Sequence, residues 1–187
     1  MPAPLPGPRS RARWIIRTQL AALSQGRKHT PGIHTRATGY IPFTGPARDS
    51  IAVAWREARR LGYDHWGPGH LLLGLASQDD SVAARALDRL GISREDVRQK
   101  AAQIAAGHRQ PRPSPQPHPA EGVIQAVLAD AAARCDEHIG TEHLLPALFH
   151  ASDTTATQVL ARLGAAESQV RGAINALLAE SGPERSA

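Results

Sequence analysis

Residues 66–75 read Trp66-Gly-Pro-Gly-His70-Leu-Leu-Leu-Gly-Leu75, and residues 139–148 return a variant, Ile139-Gly-Thr-Glu-His143-Leu-Leu-Pro-Ala-Leu148. His70 and His143 stand 73 residues apart, and that offset aligns their surroundings without a gap. Ile51 falls on Ile124, Ala58 on Ala131, His65 on His138, Leu87 on Leu160, Arg89-Leu90-Gly91 on Arg162-Leu163-Gly164, and Val97-Arg98 on Val170-Arg171. A register held over roughly sixty residues signals a duplicated structural unit, not a chance motif. In a chain of 187 residues, two units of about seventy would each be marginal alone, so they are expected to pack together.

The first unit opens at Phe43-Thr44-Gly45-Pro46, where Thr44 can cap a helix and Pro46 can sit in its first turn. Ile51, Ala54, Trp55, Ala58 and Leu61 recur at helical spacing, with arginines on the other faces, and Gly62 closes the run. Pro68 and Gly69 introduce a second helix carrying His70 to Leu75. A third spans Ser81 to Leu90, ended by Gly91, and Ser93-Arg-Glu-Asp96 is a capping-box pattern opening a fourth, to about Ala106. The second unit repeats this order over about 120–134, 141–150, 153–163 and 167–178. Between the units, residues 107–119 place proline at alternate positions near their end, the composition of a stiff linker. No stretch shows sustained strand alternation. The expected fold is all-α: two tandem four-helix repeats, 43–106 and 120–179, related by a pseudo-two-fold, with a tail at 180–187.

Charge is distributed unevenly. The net charge is +5, yet the eight basic residues before Asp49 meet no acidic one, leaving fourteen basic against seventeen acidic side chains beyond. Residues 1–42 form a basic arm, rich in Pro, Gly and Thr, that offers little to bury and is expected to be largely disordered. It is either a solvated tail or a tether to nucleic acid or the ribosome, since phosphate neutralisation needs little beyond positive charge. No run approaches the ~18 to 20 apolar residues that span a bilayer. The best secretory core, Trp14 to Leu23, is broken by Arg17 and Gln19. A cytoplasmic protein with no membrane contact is expected. The single cysteine, Cys135, excludes an internal disulfide and is expected to be a small buried or half-buried residue.

The sequence argues against an enzyme. His70 and His143 each follow a helix start and precede apolar positions, no HExxH arrangement exists, and the two lie in separate repeats. They are expected to brace helix starts, with no metal or cofactor. There is no G-x-S-x-G elbow and no G-x-x-x-x-G-K-[ST] loop. Phe43, Tyr63 and Trp66, near the half boundaries, are the candidates for an exposed ligand-contacting surface, with core packing as the alternative role for each.

Taken together, these features resemble the amino-terminal (Clp R) domain of Clp-type ATPases, especially of ClpC-like unfoldases. The resemblance rests on Phe43-Thr44, Glu57-Ala-Arg-Arg-Leu-Gly62, Gly67-Pro-Gly-His-Leu-Leu-Leu-Gly-Leu75 and Val82-Ala-Ala-Arg-Ala-Leu-Asp-Arg-Leu-Gly91 in one half. In the other it rests on Ile139-Gly-Thr-Glu-His-Leu-Leu145 and Val159-Leu-Ala-Arg-Leu-Gly164. It implies a non-enzymatic protein-binding module, free-standing without the ATPase modules. Such a module acts as adaptor, regulator or competitor in Clp-dependent proteolysis, with a ClpC-like unfoldase, its adaptors or its substrates as partners. A second implication is a decoy for cyclic-peptide antibiotics aimed at such domains.

Some ClpC-type domains recognise phosphorylated arginine in two equivalent pockets, through the threonine opening a half and the glutamate of G-T-E-H. Here the first half keeps Thr44 but has Gly69 at the glutamate position, and the second keeps Glu142 but has Pro117 at the threonine position. The resemblance therefore implies a half-present pocket in each repeat. The alternative is that Thr44 and Thr141 cap helices while Glu142 favours a helix dipole.

Overall fold

The computed structural model describes residues 32–35, 39–63, 66–107, 119–151 and 155–180. Eight α-helices lie among them: α1 (Gly45–Arg60), α2 (Pro68–Leu75), α3 (Val82–Arg89), α4 (Arg94–Gly107), α5 (Pro119–Arg134), α6 (Thr141–Ala147), α7 (Thr155–Arg162) and α8 (Glu167–Glu180). A 3₁₀ turn, Leu148–His150, extends α6. The first four helices and the last four are the two repeats. The tail at 181–187, the linker segment 108–118 and most of the basic arm lie outside the described residues.

One part of the arm departs from expectation. Strands β1 (Gly32–Thr35) and β2 (Gly39–Pro42) pair antiparallel, with Ile33 opposite Ile41 and His34 opposite Tyr40. Ile, Thr and Tyr favour strands, but four-residue strands are too short to declare an alternating pattern. The helical body is as expected, with this hairpin at its entrance.

Four helix ends follow one rule. The first and third helices of each half stop at a left-handed residue: Gly62 (φ 80°), Gly91 (φ 73°), Gly164 (φ 78°) and, alone without being glycine, Cys135 (φ 56°). In each, the next N–H reaches back into the last turn: Tyr63 to the Ala58 carbonyl, Ile92 to Leu87, Asp136 to Ala131 and Ala165 to Leu160, at 2.9–3.0 Å. This closes the otherwise unpaired carbonyls of each last turn. Cys135 takes Gly62's place in the second copy and is exposed, not buried; a residue at a helix C-terminus with φ > 0 points away from the core it terminates. At the start of α4, the Ser93 hydroxyl accepts the Asp96 N–H at 3.1 Å while Asp96 accepts the Ser93 N–H at 3.0 Å, the reciprocal box expected there.

The core is built from the duplicated positions. Ile51 and Ile124, Leu71 and Leu144, Leu72 and Leu145, Leu75 and Leu148, Leu87 and Leu160, and Val97 and Val170 are all buried, at no more than 6% exposure. A fully buried leucine contributes about 1.5–3 kcal/mol relative to an exposed one. Within each half the first helix crosses the second, α1 on α2 and α5 on α6. At the first crossing Gly74 lies so close to α1 that a Cβ there would run into the Ser50 carbonyl oxygen.

The halves are not merely set side by side. Helix α3 packs on α8 and α4 on α7, so each half lays its fourth helix against the third helix of the other. Arg89 on α3 and Glu180 on α8 form an ion pair across this contact. Helix α2 adds a further contact with α7, and α6 with α3.

Candidate functional site

The two signature loops are held alike. His70 and His143 occupy the third positions of α2 and α6, and the Nδ1 of each accepts the N–H of the residue before the helix, Gly67 or Gly140, at 3.1 Å. A side chain returning to the N-cap N–H satisfies one of the orphan donors of a helix start. Both histidines therefore brace helix starts. His143 is fully buried, and with Nδ1 accepting, its proton lies on Nε2, 2.9 Å from Asp136 Oδ2. The position of Asp136 is held in the first copy by Tyr63, whose ring meets the His70 ring edge-on at 5.2 Å. Burial, partly offset by Glu57, pushes His70 below the usual histidine range.

Between helix start and histidine the copies diverge. In the second, Thr141 turns away from its own helix: its hydroxyl accepts the buried N–H of Ala83, in the first turn of α3, at 3.2 Å. Thr141 thus caps a helix of the other half. The next residue, Glu142, folds its carboxylate back over Gly140, where a Cβ would collide with it, and its side chain is 20% exposed. Among the described residues the nearest cationic-type nitrogen to that carboxylate is His143 Nδ1, at 3.7 Å, which is already accepting the Gly140 N–H. Among the described residues Glu142 is therefore a largely buried carboxylate without a cation.

The first copy lacks this feature. At Gly69, the position of Glu142, a Cβ would come within 2.9 Å of Thr155 Cβ on α7. The space for a side chain is filled from the other half. Pro117, the counterpart of Thr44, lies outside the described residues.

Thr44, assigned by sequence to one half-pocket, is joined through Ile139 to the loop that leads into Glu142, assigned to the other. Phe43 bridges to Ile139 in parallel; the Ile139 N–H donates to the Pro42 carbonyl at 2.8 Å, and the Thr44 N–H to the Ile139 carbonyl at 2.9 Å. The chain entering the first half is thereby stitched to the loop that carries Gly140, Thr141 and Glu142. Thr44 caps α1, its hydroxyl 3.4 Å from the Ala47 N–H, and no acidic residue occupies the first turn of that helix. The pairing connects a positive helix terminus to a loop whose carboxylate has no cation among the described residues. Sequence offset alone could not reveal this, because pairing across the pseudo-two-fold joins the start of one copy to the signature of the other.

The aromatic surface expected from sequence is corrected. Phe43 and Trp66 are 4% and 6% exposed and belong to the core, and Tyr63 is half-buried against His70. Phe43 is drawn inward by its bridge to Ile139, and Trp66, which occupies the Ile139 position of its own copy, by the same burial. Among the described residues no three His, Cys, Asp or Glu side chains gather as a metal site would require, and no helix is long and apolar enough to cross a membrane.

The sequence profile of the Clp repeat (R) N-terminal domain matches residues 42–135 and again 117–186. The negative regulator of genetic competence ClpC/MecB of Bacillus subtilis (strain 168) is 31% identical over 137 residues, which cover 73% of this chain and 17% of that protein. The chloroplastic chaperone protein ClpC of Pisum sativum is 30% identical over 180 residues, covering 89% and 19%. The chain thus spans less than a fifth of the length of these relatives. Among solved structures, the N-terminal domain of the Clp-associated chaperone ClpD from Arabidopsis thaliana superposes with a TM-score of 0.60 at 24% identity, covering 73% of this chain and 94% of that one. The Hsp104 N-terminal domain from Candida albicans gives 0.56 at 17%, covering 73% and 91%. At such identities these structures attest the fold, and with one profile match per repeat the chain belongs to the Clp repeat (R) N-terminal domain family.

Proposed function

We propose that this chain is a non-catalytic protein-recognition module serving Clp-dependent proteolysis, as adaptor, regulator or competitor, and that it binds partners through a single corner formed by Thr44 and Glu142. The partners are a ClpC-like unfoldase, its adaptors or its protein substrates, met in the cytoplasm. One observation supports the reading: the Phe43–Ile139 pairing ties the chain entering α1 to the loop that leads into Glu142, a largely buried carboxylate with no cation among the described residues. A helix terminus with a hydroxyl accepts an anion and a carboxylate accepts a guanidinium. A ligand carrying both charges a few atoms apart, phosphorylated arginine, satisfies both. The filled space at Gly69 argues for one such corner rather than two.

The experiment is calorimetric titration with a short peptide in its arginine-phosphorylated and unmodified forms, using wild type and Glu142→Gln. The reading expects one site per chain, preference for the phosphorylated peptide, and loss of at least tenfold in affinity for the variant. Equal binding of both peptides, or an unaffected variant, would overturn it.

A further inference from the structure

The two carboxylates around the second signature occur together and are missing together. Asp136 and Glu142 flank His143, and their counterparts in the first copy are Tyr63 and Gly69. Bracing a helix start needs neither: His70 accepts the Gly67 N–H at the same 3.1 Å at which His143 accepts that of Gly140. Nor does the preceding helix end call for an anion. Asp136 lies just past the left-handed Cys135 that closes α5, beside the negative end of that helix. Its side chain is 45% exposed, so it fills no space in the core. What it does there is accept the Nε2 proton of a wholly buried ring, at 2.9 Å.

A neutral imidazole carries one proton, and the partner of one nitrogen decides the state of the other. His143 faces two acceptors that compete for it: Asp136 Oδ2 lies 2.9 Å from Nε2, and Glu142 Oε1 lies 3.7 Å from Nδ1. With the proton on Nδ1, a short movement of the Glu142 side chain would complete a hydrogen bond. That bond would take the acceptor away from the Gly140 N–H and give the carboxylate an internal partner. With the proton on Nε2, Nδ1 stays bare, the Gly140 N–H is held, and Glu142 is left free of the ring. The first copy meets no such choice, because Gly69 presents no carboxylate to His70.

We infer that Asp136 is a positioning residue for the Glu142 site: by holding the His143 proton on Nε2, it keeps the Glu142 carboxylate from bonding to its own neighbour and so available to a guanidinium. The inference rests on the reading of Glu142 as the carboxylate that receives a ligand's cation. It adds to that reading a residue outside the signature, which acts on the ligand only through His143.

The test uses the full chain labelled with nitrogen-15, at about pH 8, above the ordinary range of histidine. In a spectrum correlating ring protons with ring nitrogens, a bare nitrogen resonates far from one that bears a proton. His70 supplies the reference for a ring whose Nδ1 accepts. Wild-type His143 should carry its proton on Nε2. In Asp136→Ala the proton should move to Nδ1, and in the double variant Asp136→Ala, Glu142→Ala it should return to Nε2, since the Gly140 N–H then selects the tautomer. Asp136→Asn, whose amide oxygen still accepts, should keep it on Nε2, and circular dichroism verifies that each variant retains wild-type helicity. The arginine-phosphorylated peptide should bind Asp136→Ala at least about fivefold more weakly than wild type. Glu137→Ala, an equal charge change at the exposed neighbour, should bind as wild type does. The inference is overturned by an Nδ1 proton in the wild type, by a proton that stays on Nε2 in Asp136→Ala, or by equal losses of affinity in Asp136→Ala and Glu137→Ala. A wild-type chain that binds both peptide forms alike sinks the phosphoarginine reading instead, and the tautomer measurements then decide this inference alone.

Discussion

The hydroxyl of Thr141 accepts the backbone N–H of Ala83 at 3.2 Å, in a fully buried contact between residues of different repeats. Ser81 already satisfies the Ala84 N–H from within the first half, at 3.1 Å, so Thr141 completes a cap that neither half makes alone. Replacing Thr141 by Val keeps the volume and strands the Ala83 N–H. A loss of about 1–2 kcal/mol in urea unfolding is expected, with Thr141→Ser recovering most of it. A valine variant as stable as wild type would show that water satisfies this donor.

Two glycines in helices should respond oppositely to alanine. At Gly74 the added Cβ meets the Ser50 carbonyl oxygen, which belongs to helix backbone and has no room to retreat. The substitution should cost about 1–3 kcal/mol or more. At Gly172, inside α8, nothing lies within 4 Å of the same atom, and alanine should stabilise by about 0.5–1 kcal/mol. Thermal unfolding of the two variants beside wild type checks both signs.

Cys135 occupies the left-handed position that glycine holds at three equivalent helix ends. Cys135→Gly should therefore stabilise the protein by up to about 1 kcal/mol, and Gly62→Ala should destabilise it by a similar amount. Denaturation midpoints measured under reducing conditions would decide, and a destabilised glycine variant would mean that the thiol makes a contact that outweighs backbone strain.

Burial disfavours the charged form of His70 and, only partly offset by Glu57, holds it below its ordinary range. A base whose folded pKa is lowered binds fewer protons folded than unfolded. Its contribution is therefore fully present above the unfolded value of about 6.5 and is lost as pH falls below it. The ring resonances of His70 should show a midpoint under 6.5 in an NMR titration, and His70→Gln should reduce the decline in stability between pH 7 and 5. A midpoint at or above 6.5 would contradict the burial argument.

Much of this was readable before any coordinates. The 73-residue register located both signatures and paired the core positions, and glycine and capping patterns marked most helix ends, since these depend on contacts within a few residues. The same register, laid over Gly62, also marks Cys135 as a left-handed cap and hence exposed, a signal that residue-type statistics obscured. What stayed hidden was contact across the pseudo-two-fold. Thr44 beside the Glu142 loop, Thr141 capping α3, and Thr155 filling the space at Gly69 all join residues of different copies. A linear repeat says which positions are equivalent, not which copy each one touches.

The exchange of fourth helices has a consequence for how such a module can change. Since α4 closes the other half and α8 closes this one, deleting either copy would open the survivor's interior to water. Neither repeat is a self-sufficient unit: each supplies the other with the wall it lacks, and at Gly69 even the space beside a missing side chain is taken up by Thr155 of the opposite half.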